Sequence, residues 1–118
     1  MINQSELPEF VTNAVPEMSG AISNNKCRNS YDVVRELFKY TAKQVLAKNI
    51  VAAKACLSLA EQLYDKGNTV IKNAIENVFV YSFSHAFFHD EKRRQEVMPL
   101  VPATLYTLYK KQVINSHL

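Results

Sequence analysis

The stretch Ile50 to Ala86, IVAAKACLSLAEQLYDKGNTVIKNAIENVFVYSFSHA, decides the fold class. Its first half repeats small and apolar side chains at Ala53, Cys56, Leu57, Ala60, Leu63 and Tyr64, the spacing of three and four that fills one face of an α-helix. Its second half does the same with Ile71, Ala74, Ile75, Val78, Phe79, Ser82, Phe83 and Ala86. Between them stand Gly67, suited to the left-handed position that ends a helix, and Asn68, suited to cap the next one. Two amphipathic helices joined by so short a turn are expected to form an antiparallel hairpin.

Outward from that hairpin the same period continues. Ser5 is expected to cap a first helix carrying Leu7, Phe10, Val11 and Ala14, which Pro16 interrupts or restarts. Ser23 to Asn29 is polar and reads as a loop. Ser30 is expected to cap a helix with Val34, Leu37, Phe38, Thr41, Val45 and Leu46 on its inner face, running to about Lys48. Glu91 to Val97 adds another turn or two before Pro99 and Pro102 break the chain. Pro102 then opens a last helix with Leu105, Leu108, Tyr109 and Val113 inside.

The expected architecture is therefore one all-α domain over residues 1–118, a compact bundle of five or six helices around a central antiparallel hairpin, with no sheet. Composition agrees: 118 residues include only two glycines and four prolines, too few turn residues for a sheet protein. Met1 to Phe10 has neither the basic nor the apolar region of a signal peptide, and no apolar run reaches the roughly 20 residues that span a bilayer. Cys27 and Cys56 stand without metal-finger spacing and fit two reduced thiols in a cytoplasm, a single bridge between them being the alternative.

One stretch resembles chemistry. In SHAFFHDE, Ser84 to Glu91, two histidines lie four apart with carboxylates behind them. His85, His89 and Asp90 are the candidate metal ligands, since histidines at i and i+4 can share one divalent ion. Against this stand the missing glutamate of the HExxH signature, its interval holding Ala86 and Phe87, and the want of a further good ligand. At about 100° per residue with Ile71 at zero, His85 falls near 320° and His89 near 0°, inside the apolar arc of the helix. Both are expected to face inward as neutral imidazoles, with Phe87 and Phe88 on the far side. No nucleophile elbow, paired carboxylates or phosphate loop is present in the sequence, so neither an enzyme nor a cofactor is expected.

What remains is contact surface. Six tyrosines without tryptophan, several off the cleanest stripes, favour a protein partner or self-association through Tyr81, Phe87, Phe88 and Tyr106. The net charge of +3 sits in the last quarter, where residues 91–118 carry five bases against two acids. Nucleic-acid binding through Lys92, Arg93 and Arg94 is the further alternative, although the basic stripe with reading elements that such domains carry is missing.

The segment Leu59 to Ser84, LAEQLYDKGNTVIKNAIENVFVYSFS, with its Gly-Asn turn and following buried helix, resembles small all-helical bacterial families of the toxin-immunity type. The resemblance covers about a fifth of the chain. It implies a cytoplasmic, non-enzymatic protein that neutralises a cognate toxin by occluding it, and it assigns no contact residue. An inhibitor of a basic nuclease is expected to be acidic; a basic chain implies instead a target with an acidic or apolar surface.

Overall fold

The computed structural model describes residues 1–23 and 29–116. Among them are seven α-helices and no strand. They are α1 (Leu7–Ala14), α2 (Ser19–Ser23), α3 (Ser30–Leu46), α4 (Ile50–Lys66), α5 (residues 69–87), α6 (Glu91–Val97) and α7 (Ala103–Ser116). Short 3-10 turns, Pro16–Met18 and Met98–Leu100, precede α2 and follow α6. The chain packs as the all-α bundle that its periodicity predicts, with α3 lying against both arms of the α4–α5 hairpin. The radius of gyration, 13.6 Å, is that of a compact domain of this length.

The helix boundaries follow local chemistry, not always at the expected residue. Asn29, not Ser30, caps α3: its side chain accepts from the Asp32 N–H at 3.0 Å. Ser30 sits one position inside, buried, its hydroxyl without a partner among the described residues. Ser5 lies in a turn ahead of α1, whose cap position is Glu6; there the Glu6 carboxylate accepts from the Asn3 N–H at 3.3 Å. Asn68 caps α5 as expected, accepting from the Ile71 N–H at 3.0 Å. Of the expected Ser23–Asn29 loop, Ser23 ends α2, Asn29 caps α3, and the rest, Cys27 included, lies outside the described residues.

Two turns invert the expected glycine chemistry. Gly67 has φ −76°, ordinary extended backbone. The left-handed residue is Lys48, at φ 60°, where α3 ends in a Schellman arrangement: Lys48 N–H donates to the Val45 carbonyl at 3.0 Å and Asn49 N–H to that of Gln44 at 2.9 Å. Leu46, the last residue of α3, stands about 180° round the helix from Leu37 and is exposed, not part of the inner face. Asn49 then caps α4.

The core runs through the bundle from Leu7 and Val11 of α1 to Leu37 of α3, Leu57 and Leu63 of α4 and Phe79 of α5, all at most 1% exposed. Each such side chain contributes roughly 1.5–3 kcal/mol by leaving water. Cys56 belongs to this core and carries a free thiol. No helix among the described residues is long and apolar enough to cross a membrane.

Candidate functional site

The middle of α5 determines which side chains reach the surface. Thr69–Ala74 is α-helical, Ile75–Val80 is π-helical, and Tyr81–Phe87 is α-helical again. A π turn bonds i to i+5 and so spends an extra residue, which rotates everything beyond it by about 100° relative to an uninterrupted α-helix. The positions near 160° and 180° on the regular wheel, Phe87 and Val80, swing into the core, and Phe83, at the edge of the expected arc near 120°, moves to its centre. Val80, Phe83 and Phe87 are accordingly buried, at 4%, 4% and 2% exposure.

The same rotation carries His85 and Ala86 out into solvent, and the helix ends at Phe87, leaving His89 exposed in the bend beyond it. The inward placement expected for the two histidines is thus overturned, for His85 by one extra residue in the helix and for His89 by the helix ending before it. Phe87 is corrected with them: it is a core residue whose ring lies 4.8 Å from that of Phe83 at a tilt of 52°, not a contact residue. Phe88 is half-buried, its ring edge-on to Tyr109 of α7 at 4.6 Å.

Tyr81, His85 and His89 form one row along the exposed side of α5. Tyr81 meets His85 edge to face at 4.2 Å, and His85 stacks on His89 at 5.3 Å with 8° between the planes. The row borders a groove of about 340 Å³ whose other wall is Tyr109, Gln112 and Val113 of α7, with Phe88 and Ser84 completing it. Two contacts fix α7 against the π turn: Gln112 Nε2 donates to the Glu76 carbonyl at 2.6 Å, and Lys111 pairs with the Glu76 carboxylate at 3.5 Å.

Of the sequence-derived candidates, Tyr81 and Phe88 meet in this groove. Tyr106 lies in the neighbouring crevice with Glu91, Arg94, Gln95 and Met98, under Lys110, whose Nζ is 5.0 Å from its ring centre. Tyr109 joins the two regions, 6.2 Å from Tyr106 and beneath the Arg94 guanidinium at 6.0 Å. Sequence reasoning placed Tyr109 in the core and passed over Gln112. A long amide at the edge of an apolar stripe was the only trace of the latter.

The histidine pair is built for stacking. Two imidazoles that chelate one ion must aim in-plane lone pairs at a point about 2.0–2.1 Å from each nitrogen, and near-parallel stacked rings send those lone pairs along separate planes. Asp90 is engaged elsewhere, capping α6 by accepting from the Lys92 N–H at 3.1 Å. No three His, Cys, Asp or Glu side chains gather into a metal set among the described residues. Ser84 Oγ donates back to the Tyr81 carbonyl at 2.9 Å, within its own helix.

Residues 8–115 match a family described as DUF7674, a domain of unknown function. The chain belongs to the DUF7674 family. The match takes in α5, α6 and nearly all of α7, and hence the whole groove, in a single DUF7674 domain. No curated protein and no solved structure matches the chain.

Proposed function

We propose that this DUF7674 domain is a non-catalytic protein-interaction domain whose contact face is the groove between the second half of α5 and α7. The observation that carries the reading is the row Tyr81, His85 and His89. Tyr81 is 52% exposed, yet its ring is already held against His85. An aromatic side chain fixed in place before contact offers a large apolar area and loses little rotamer freedom when a partner covers it. In its narrower form the partner is a toxin and the domain a cytoplasmic, immunity-type inhibitor. The resemblance of Leu59 to Ser84 supports that form, and the positive net charge directs it toward an acidic or apolar target surface.

The test is capture of a partner by the tagged domain and by its Tyr81→Ala/His85→Ala variant. Both residues are exposed, so thermal unfolding should be unchanged. Loss of one stable partner in the variant supports the reading; equal retention removes this face from it. Protection of cells co-expressing the product of an adjacent toxin-like gene supports the immunity form, and failure to protect leaves only the broader one.

A second reading has one observation in its favour. Lys92, Arg93 and Arg94 are all exposed, and Arg94 and Lys110 lie over Tyr109 and Tyr106, a pairing of charge with aromatic faces that single-stranded nucleic acid uses. It requires affinity for an oligonucleotide that falls steeply with salt.

A further inference from the structure

A second surface, sharing no residue with the aromatic groove, lies where α3 turns into α4. Three large apolar side chains stand in solvent there: Leu46 at 60% exposure, Ile50 at 45% and Val51 at 82%. Exposed apolar side chains scattered singly need no explanation, but Leu46 and Ile50 line one groove and Val51 is the next residue along the chain. Leu46 and Ile50 wall a groove of about 380 Å³ whose opposite side is Val97 and Leu100, and Lys48, Arg93 and Glu96 complete its charged lining. The Schellman turn and the left-handed Lys48 hold the corner in this shape.

The electrostatics of the corner lean positive. From residue 37 to residue 60 the chain has no aspartate or glutamate, whereas Lys39, Lys43, Lys48 and Lys54 fall in that span and are exposed; Lys39 is paired with Glu36 at 3.5 Å, and Lys48 lines the groove itself. Arg93 adds a further positive group across the groove, against the single acid Glu96. We propose that this groove docks an acidic amphipathic helix of a partner protein. Its apolar side chains would seat between Leu46 and Ile50 on one side and Val97 and Leu100 on the other, and its carboxylates would meet Lys48 and Arg93, as helix-in-groove recognition requires. A second copy of this chain fits poorly, because a two-fold axis would set the same lysines against each other. An anionic bilayer fits poorly as well, since the apolar side chains wall a concavity and Glu96 lines it.

This inference stands apart from the aromatic row, and its test separates the two. The probe is a synthetic peptide of about 16 residues with leucines at i, i+3, i+4 and i+7 and glutamates flanking them, titrated into the isotopically labelled full chain. The same peptide with lysines for glutamates, and vesicles with and without phosphatidylserine, serve as comparisons. Expected are saturable shifts centred on the amides of Leu46, Ile50, Val51 and Leu100, and binding weakened roughly tenfold in Lys48→Glu/Arg93→Glu. Tyr81→Ala/His85→Ala should bind the peptide like wild type. Lack of binding at millimolar acidic peptide, equal binding of the lysine peptide, indifference to Lys48→Glu/Arg93→Glu in a variant with unchanged circular dichroism, or binding to the anionic vesicles instead would each overturn the proposal.

Discussion

At Gly67 the chain passes so close to the first turn of α5 that a Cβ built there lies 2.5 Å from Ile71 Cγ2 and 2.7 Å from Ile71 Cβ, and against the Leu63 carbonyl oxygen as well. Real carbon atoms do not approach so closely, and two of the three groups cannot swing aside, being a backbone carbonyl and the branch point of a buried side chain. Gly67→Ala is therefore expected to cost about 1–3 kcal/mol through overpacking, read as a lower urea midpoint with an unchanged slope. The sequence marks this residue as the end of a helix, correctly, but its composition does not distinguish a glycine needed for φ from one needed for space. Lys48 shows the converse, a left-handed residue whose type announces nothing. Cys56 supplies a pH prediction. Burial pushes its thiol above the ordinary value of 9.0, partly opposed by a hydrogen bond with Thr41 and raised further by Glu17. The folded protein thus holds the proton more tightly than the unfolded chain, so this stability is fully present below the unfolded thiol's range and is lost as pH rises through the raised value. Unfolding free energy should fall more between pH 7 and pH 10 in the wild type than in Cys56→Ala, and equal falls would show that the thiol contributes nothing to the slope.

At the scale of the element, the π turn is the feature that decides what α5 shows to solvent. The 3.6-residue period is legible along the longer helices, though not in α2, and up to Ile75 it places the inner residues of α5 correctly, Ile71 and Ala74 among them. Beyond that point it still places Phe79 and Phe83 inside, but it fails for His85 and Ala86, which are exposed, and for Val80 and Phe87, which are buried. No glycine or proline marks Ile75–Val80, whose IENVFV is compatible with either helix, and the contact that secures the turn comes from Gln112, 36 positions away. Local periodicity carries no information about such a partner. Deleting one exposed residue of the turn, Asn77, removes the residue that the π turn takes up, so an uninterrupted α-helix would still present Phe83 and Phe87 to the core and His85 and His89 to solvent. The deletion variant is therefore expected to keep a native-like near-ultraviolet circular dichroism and to bind no hydrophobic dye. A register slip would instead displace two buried phenylalanines, each worth roughly 3–5 kcal/mol when truncated, and would approach the whole stability of a domain this size. Loss of the native spectrum with dye binding would mean that the turn's own contacts with Gln112 and Lys111, and not only the register it sets, hold the bundle together.

Across the whole molecule, the chain's first residues are tied to its middle. Ile2 N–H donates to the Lys66 carbonyl at 2.7 Å, and Asn68 N–H donates to the Ile2 carbonyl at 2.8 Å, a single parallel bridge laid over the α4–α5 turn. Asn68 Nδ2 also donates to Gln4 Oε1 at 2.9 Å, while its Oδ1 caps α5. One side chain therefore serves both the hairpin and the segment that covers it. That segment lies ahead of residue 8, where the family match begins, and its partners Lys66 and Asn68 lie within the match. Ile2, 8% exposed, lies at the rim of the core; Ile2→Ala should cost about 2 kcal/mol, the low end for such truncations, and Asn68→Ala about 1 kcal/mol from the lost cap. If the clasp works as a unit, the two losses do not add. Once Ile2 no longer holds the strand-like segment down, the Gln4 contact to Asn68 goes with it, and the second substitution has less left to remove. A double-mutant cycle by urea unfolding is expected to give a coupling of at least about 0.5 kcal/mol. Strict additivity would mean that Gly67 and Ile71 pack the hairpin turn on their own and that the first residues only lie across it.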